Sequence, residues 1–200
     1  HLLQKTGTNE KDTFNLDANQ RVVDFKLQPG VRYDNVEGSG NNNEIKTDVT
    51  IVDILPDHLT YVKCSAYYGY DGSKFTVAPE NGNEGTVMNY IQTTPRGGTQ
   101  GKIEGGRQLE PVLGEIQEKQ ADGSTKTYHT LTWTLENITV GKDVPAIFYS
   151  AVIGTKENAK TDVPEGTSNL ENRVYITSQY DRRDPTIENH KLAKAGITVT

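Results

Sequence analysis

The sequence predicts an all-β fold, an immunoglobulin-like antiparallel β-sandwich, and three observations predict it. Apolar and polar residues alternate with a period of two in one segment after another. Clusters of turn-forming residues separate those segments. The composition favours strands and turns: 19 of the 200 residues are glycine, threonine and asparagine are plentiful, and no convincing amphipathic helix can be drawn.

The segments follow in order. "RVVDFKLQ" (21–28) puts Val23, Phe25 and Leu27 on one face. In "TDVTIVDILPDHLTYV" (47–62), Val49, Ile51 and Asp53 share one parity, so a strand here turns a carboxylate toward the core just before a Leu-Pro stop. Cys64 follows in "LTYVKCSAYY" with Val62 on its face and is expected to pack as a small hydrophobe. The region 67–120 has glycine pairs, three prolines and short strand signals at "KFTVA", "TVMNYIQTT" and "GRQLEPVLGEIQE". It reads as an inserted, elaborated β-rich region with room for one short helical turn, because a structureless loop of that length is rare inside a domain. "LTWTL" puts Leu131, Trp133 and Leu135 on one face, and "PAIFYSAVIG" (145–154) is a nearly continuous strand signal. "ENRVYITSQ" aligns Asn172, Val174 and Ile176, and "KAGITVT" closes the chain with Ile197 and Val199. Turns are expected at "QPG", "EGSGNNN", "ADGS", "VGKD", "VPEG" and "DRRDP".

Bulk properties exclude several function classes. A net charge of −6 without a basic stripe argues against nucleic acid and against an anionic membrane surface. A hydrophobic content of 33% and a mean hydropathy of −0.68 are low for a compact enzyme. One cysteine allows neither an internal disulfide nor a zinc finger. No run reaches transmembrane length, and no cofactor or metal is implied. The chain opens on His1 and carries no signal peptide; we read residues 1–200 as a single domain from a longer multidomain chain.

Taken together, three of these stretches resemble a bacterial cell-surface conserved repeat. In "TDVTIVDILPDHLTYV" a strand ends in Asp-x-Leu-Pro and is followed by Leu-Thr-Tyr. "LTWTLENITVGKDVPAIFYSAVIG" is similar to that family's next pair, a strand with Trp, a Gly-led turn and a long apolar strand. "NRVYITSQYDRRDPTIENHKLAKAGITVT" is similar to its ending, an Asn-led strand, an Asp-Pro-rich loop and a last Val/Thr strand. The likeness runs from about Arg21 to Thr200, and 67–120 is longer than the family would have it. Related domains of Gram-positive adhesins and pilins form intramolecular isopeptide bonds. The resemblance therefore implies an extracellular, cell-wall-anchored structural domain whose partners are neighbouring domains of the same protein.

Such a bond needs a lysine amine, an Asn carboxamide and a carboxyl in an apolar interior. Burial lowers a lysine pKa, giving a neutral nucleophile, and raises a carboxyl pKa, giving a proton donor to the amide. The family pattern puts the lysine on the first strand, the acid on a central strand and the Asn on a late one. Asp53 and Asn172 fit by parity. In "HLLQKTGTNEKD", Lys5 shares parity with Leu3; Lys26 lies opposite in parity to Phe25 and Leu27, and Lys11 sits in a polar run. The implied set is Lys5 and Asn172 as the crosslink, with Asp53 as catalyst. Plainer roles stand beside it: Asp53 as a cap on the Leu-Pro turn, Asn172 as a partner of a strand-start backbone group, Lys5 as an exposed terminal lysine.

Other groupings carry less. Tyr67, Tyr68 and Tyr70 in "YYGYDG" could stack on a host protein or glycan, or simply pack at a sheet edge. That gives the alternative function, a ligand-binding adhesin module acting through the inserted region. Asp181, Asp184 and Glu188 do not have EF-hand spacing and are neutralised by Arg182 and Arg183. "DNVEGSGNNNE" reads as a hairpin loop. His58, His129 and His190 form no triad, and no pair of acids is singled out for glycoside hydrolysis, so an enzyme is not expected.

Overall fold

The structure is a computed structural model that describes residues 2–7, 13–14, 22–30, 46–69, 107–139, 144–154, 169–178 and 191–199. Those residues contain twelve strands and no helix. One six-stranded sheet holds β1 (Leu2–Gly7), β3 (Val22–Gly30), β10 (Ala146–Ile153), β5 (Leu59–Tyr61), β6 (Tyr67–Gly69) and β7 (Arg107–Gln108). The order is β1-β3-β10-β6-β7, with β5 also on β10. The other sheet has the order β2-β12-β11-β4-β9-β8: β2 (Thr13–Phe14), β12 (Lys191–Val199), β11 (Asn169–Ser178), β4 (Lys46–Ile54), β9 (Thr125–Thr139) and β8 (Val112–Lys119). All pairings are antiparallel except the short one between β12 and β2.

The inner faces follow the alternation in the sequence. Val23, Phe25 and Leu27 from β3 and Ile147, Tyr149, Ala151 and Ile153 from β10 meet Val49, Ile51, Leu131, Trp133, Leu135, Val174 and Ile176 from the facing sheet in one buried cluster. β10 is buried on both faces, in keeping with a sequence that is nearly all apolar and interrupted by Ser150. Phe148 and Ala146 pack with Tyr67 in a second cluster on the far side.

Three local outcomes differ from the sequence reading. "QPG" is not a turn: β3 runs through Pro29 to Gly30, paired with Leu3 and Leu2 of β1. Past Leu27 the strand has no further partner on β10, so proline's missing N–H takes no bond from that ladder. "GRQLEPVLGEIQE" is two strands in different sheets, with the chain crossing between them at Leu109–Pro111. Pro111 cannot continue a ladder, whereas the Leu109 carbonyl accepts from Trp133 Nε1 at 2.8 Å and fixes the crossing. Cys64 does not lie on a strand beside Val62. The strand stops at Tyr61, and Cys64 sits half-buried in a turn at φ 67°, its N–H donating to Glu110 Oε1 at 2.8 Å.

That turn lies where β5 and β6 leave and rejoin the same side of β10. Ser65 fills the gap, accepting from the Ser150 N–H at 3.1 Å and donating to the Val62 carbonyl. Of the expected turns, "ADGS" closes the β8–β9 hairpin with Gly123 at φ 87°, a left-handed conformation that glycine adopts without strain. "KFTVA", "TVMNYIQTT", "EGSGNNN", "VPEG", "DRRDP" and "VGKD" lie outside the described residues.

Candidate functional site

Asp53, the eighth residue of β4, enters the core on the inward parity of Val49 and Ile51. Val49, Ile51 and Asp53 are all buried on the face toward the other sheet. β11 lies beside β4 with Val174 directly opposite Asp53. Asn172, two residues before Val174, is therefore Asp53's diagonal neighbour on the same face. Above both, from the centre of the facing sheet, stands Tyr149 of β10. All three side chains are at 0% exposure.

Their polar atoms form one chain. Asn172 Nδ2 donates to the Tyr149 hydroxyl at 2.6 Å. The Tyr149 hydroxyl in turn is hydrogen-bonded to the Asp53 carboxyl. Asn172 Oδ1 is buried with no hydrogen-bond partner among the described residues. Burial first, then the Asp53 carboxyl beside it, pushes the Tyr149 phenol well above its ordinary value, while the Asn172 amide acts in the opposite direction.

Rings wall this chain off from water. Phe25 lies 5.3 Å from Tyr149 between centroids, Trp133 5.7 Å and Tyr61 6.1 Å. Tyr61 keeps its own hydroxyl on Glu110 Oε1 at 2.8 Å, and its phenol too is pushed up, chiefly by burial and then by Glu110. A polar trio in a dry aromatic box is costly. An unpaired buried carbonyl alone costs about 1–3 kcal/mol, and a Val or Leu at 172 would avoid it.

Of the expected site residues, Asp53 and Asn172 are brought together. Lys5 lies on β1, opposite Leu27, an inward core residue of β3; its side chain lies outside the described residues. β1 also lies against β12 and β11, the strand that carries Asn172. Lys26 turns to the other face of β3, with its ammonium 5.9 Å from the Phe148 ring centroid. Lys11 lies outside the described residues. At the Leu-Pro stop itself, the Leu55 N–H donates to the His129 carbonyl at 3.0 Å and Pro56 has no N–H, so neither calls on the Asp53 carboxyl.

Two of the three tyrosines, Tyr67 and Tyr68, lie on β6. Tyr67 is buried against Phe148 and Ala146 rather than presented to solvent. Tyr68 is half-buried under Arg107, whose guanidinium is 5.6 Å from the ring centroid. Tyr70, Asp181, Asp184, Glu188 and His190 lie outside the described residues. Exposed His129 faces Glu115 at 3.8 Å and is remote in role from the buried trio. Among the described residues no group of three His, Cys, Asp or Glu side chains could hold a metal. Among them, too, no helix is long and apolar enough to cross a membrane.

Sequence reasoning missed Tyr149. Its signal was present, a lone hydroxyl-bearing aromatic of inward parity between Ile147 and Ala151, but it was absorbed in the apolar run "AIFYSAVI".

No protein-family model and no curated protein matches the chain. Among solved structures, the chain is similar over 100% of its length to the collagen-binding domain of a Staphylococcus aureus adhesin, at 12% identity, 97% coverage of that chain and a TM-score of 0.35. It is similar over 98% of its length to a group B streptococcus pilus 2b backbone protein, at 16% identity and a TM-score of 0.36, spanning 56% of that protein.

Proposed function

We propose that this domain is a structural stalk or backbone module of a Gram-positive surface adhesin or pilus-like protein, stabilised by a self-formed amide between Lys5 and Asn172. The observation that carries the reading is the buried Asp53–Tyr149–Asn172 chain, a carboxyl and a carboxamide held together in a ring-walled interior. The register of β1 supports Lys5 as the nucleophile, since Leu27 opposite it belongs to the core. In this reading the lysine amine attacks Asn172 Cγ, ammonia leaves, and Asp53 handles the protons. The reaction occurs once per molecule, so the domain is not an enzyme acting on a substrate. Its partners are the adjoining domains of the same extracellular, wall-attached chain. Burial of Tyr67 removes one member of the tyrosine set on which a ligand-binding alternative would rest.

Intact-protein mass spectrometry tests the bond. A mass about 17 Da below that of the sequence, one ammonia lost, is expected. An unshifted mass would sink the isopeptide reading and leave the fold untouched. Asp53→Ala should restore the full mass and lower the thermal midpoint.

A further inference from the structure

We infer that Tyr149 is a catalytic residue of this crosslinking reaction, the group that delivers a proton to the departing ammonia; the inference rests on the isopeptide reading above. The geometry is specific. Asn172 Nδ2 is the atom that must leave, and the Tyr149 hydroxyl is its hydrogen-bond partner at 2.6 Å. An amide nitrogen is a very poor leaving group as an anion and departs readily only when protonated. In a site where all three side chains are at 0% exposure, bulk water does not supply that proton. The same hydroxyl is bonded to Asp53, so the phenol bridges the acid and the leaving group.

The step balances. Starting from a neutral amine and a protonated Asp53, the lysine nitrogen forms a bond to Asn172 Cγ and the carbonyl π pair moves to Oδ1. On collapse that pair returns and the Cγ–Nδ2 bond breaks, its electron pair going to Nδ2. In the planar amide Nδ2 donates to the Tyr149 hydroxyl; once Cγ is tetrahedral Nδ2 carries a lone pair, and it takes the Tyr149 proton while Tyr149 takes the Asp53 proton and Asp53 takes the proton shed by the newly bonded lysine nitrogen. One ammonia departs, and Tyr149 and Asp53 return to their starting state with no other reactant consumed. Phe25, Tyr61 and Trp133 hold the phenol ring in place, so the hydroxyl stays on Nδ2 without help from solvent.

The test is a time course of intact mass after cell-free synthesis of the full chain. Wild type should lose its ammonia to completion. Tyr149→Phe, which keeps the ring, should lose it at least about 100-fold more slowly, the lower end of general-acid contributions. Tyr175→Phe, on the same strand as Asn172 but facing outward, should match wild type. Crosslinking of Tyr149→Phe at the wild-type rate overturns the assignment while leaving the isopeptide reading intact. A wild type with unshifted mass overturns both. Should Tyr149→Phe show no cooperative unfolding transition, difluorotyrosine in place of Tyr149 decides: a changed rate is expected from the more acidic phenol, and an unchanged one overturns the proposal.

Discussion

Tyr61 and Tyr149 put a pH dependence into the fold. Both phenols are held above their ordinary 10.0 by burial, next to Glu110 and Asp53 respectively. The unfolded chain releases these protons near pH 10 while the folded chain keeps them, so the folded state binds more protons above that pH. Stability is therefore intact below pH 10 and falls as pH rises beyond it, by about 1.4 kcal/mol per pH unit for each tyrosine. Ultraviolet titration of the folded protein should show these two phenols ionising only with unfolding. Ionisation of every tyrosine near pH 10 with the fold intact would contradict their burial. At Asn172 the cost runs the other way. Asn172→Val should remove an unpaired carbonyl, abolish any crosslink, and leave a protein whose uncrosslinked stability, by urea denaturation, is no lower than that of Asp53→Ala.

Among the elements, the break between β5 and β6 depends on one side chain. Ser65→Ala would strand the buried Ser150 N–H, whereas the Val62 carbonyl keeps the Ser65 backbone N–H. It should cost about 1–3 kcal/mol in a urea titration. This break also marks the limit of what the sequence made legible. The inward faces of β3, β4, β9 and β11 could be read directly, because each alternates and a one-residue slip would expose its whole apolar set. Asp53 and Asn172 were readable for the same reason, as polar residues at inward positions. What could not be read depends on contacts distant in sequence. Tyr149 is hidden in a strand buried on both faces, where parity carries no contrast. The continuation of β3 through Pro29 depends on β10 ending its pairing at Leu27, and the turn at Cys64 depends on Glu110, 46 residues away.

For the whole molecule, the proposed bond ties the first strand to a late one. A closed loop of nearly the whole chain corresponds to about 5 kcal/mol by loop-entropy reasoning. The mechanical effect is larger. Stretching a crosslinked domain from its ends should leave the segment between residues 5 and 172 locked, so the contour gain should fall short of that of Asn172→Ala by roughly 580 Å, at extended-chain spacing. Equal gains for the two proteins in single-molecule force spectroscopy would rule out the covalent tie.

Trp133, packed 5.7 Å from Tyr149, is the only tryptophan in the chain. Its indole therefore works as an internal optical gauge of the site. Every photon the protein emits under selective tryptophan excitation originates beside the Asp53–Tyr149–Asn172 chain, so opening of that box to water can be followed in unlabelled protein, in real time, by the colour of its own fluorescence.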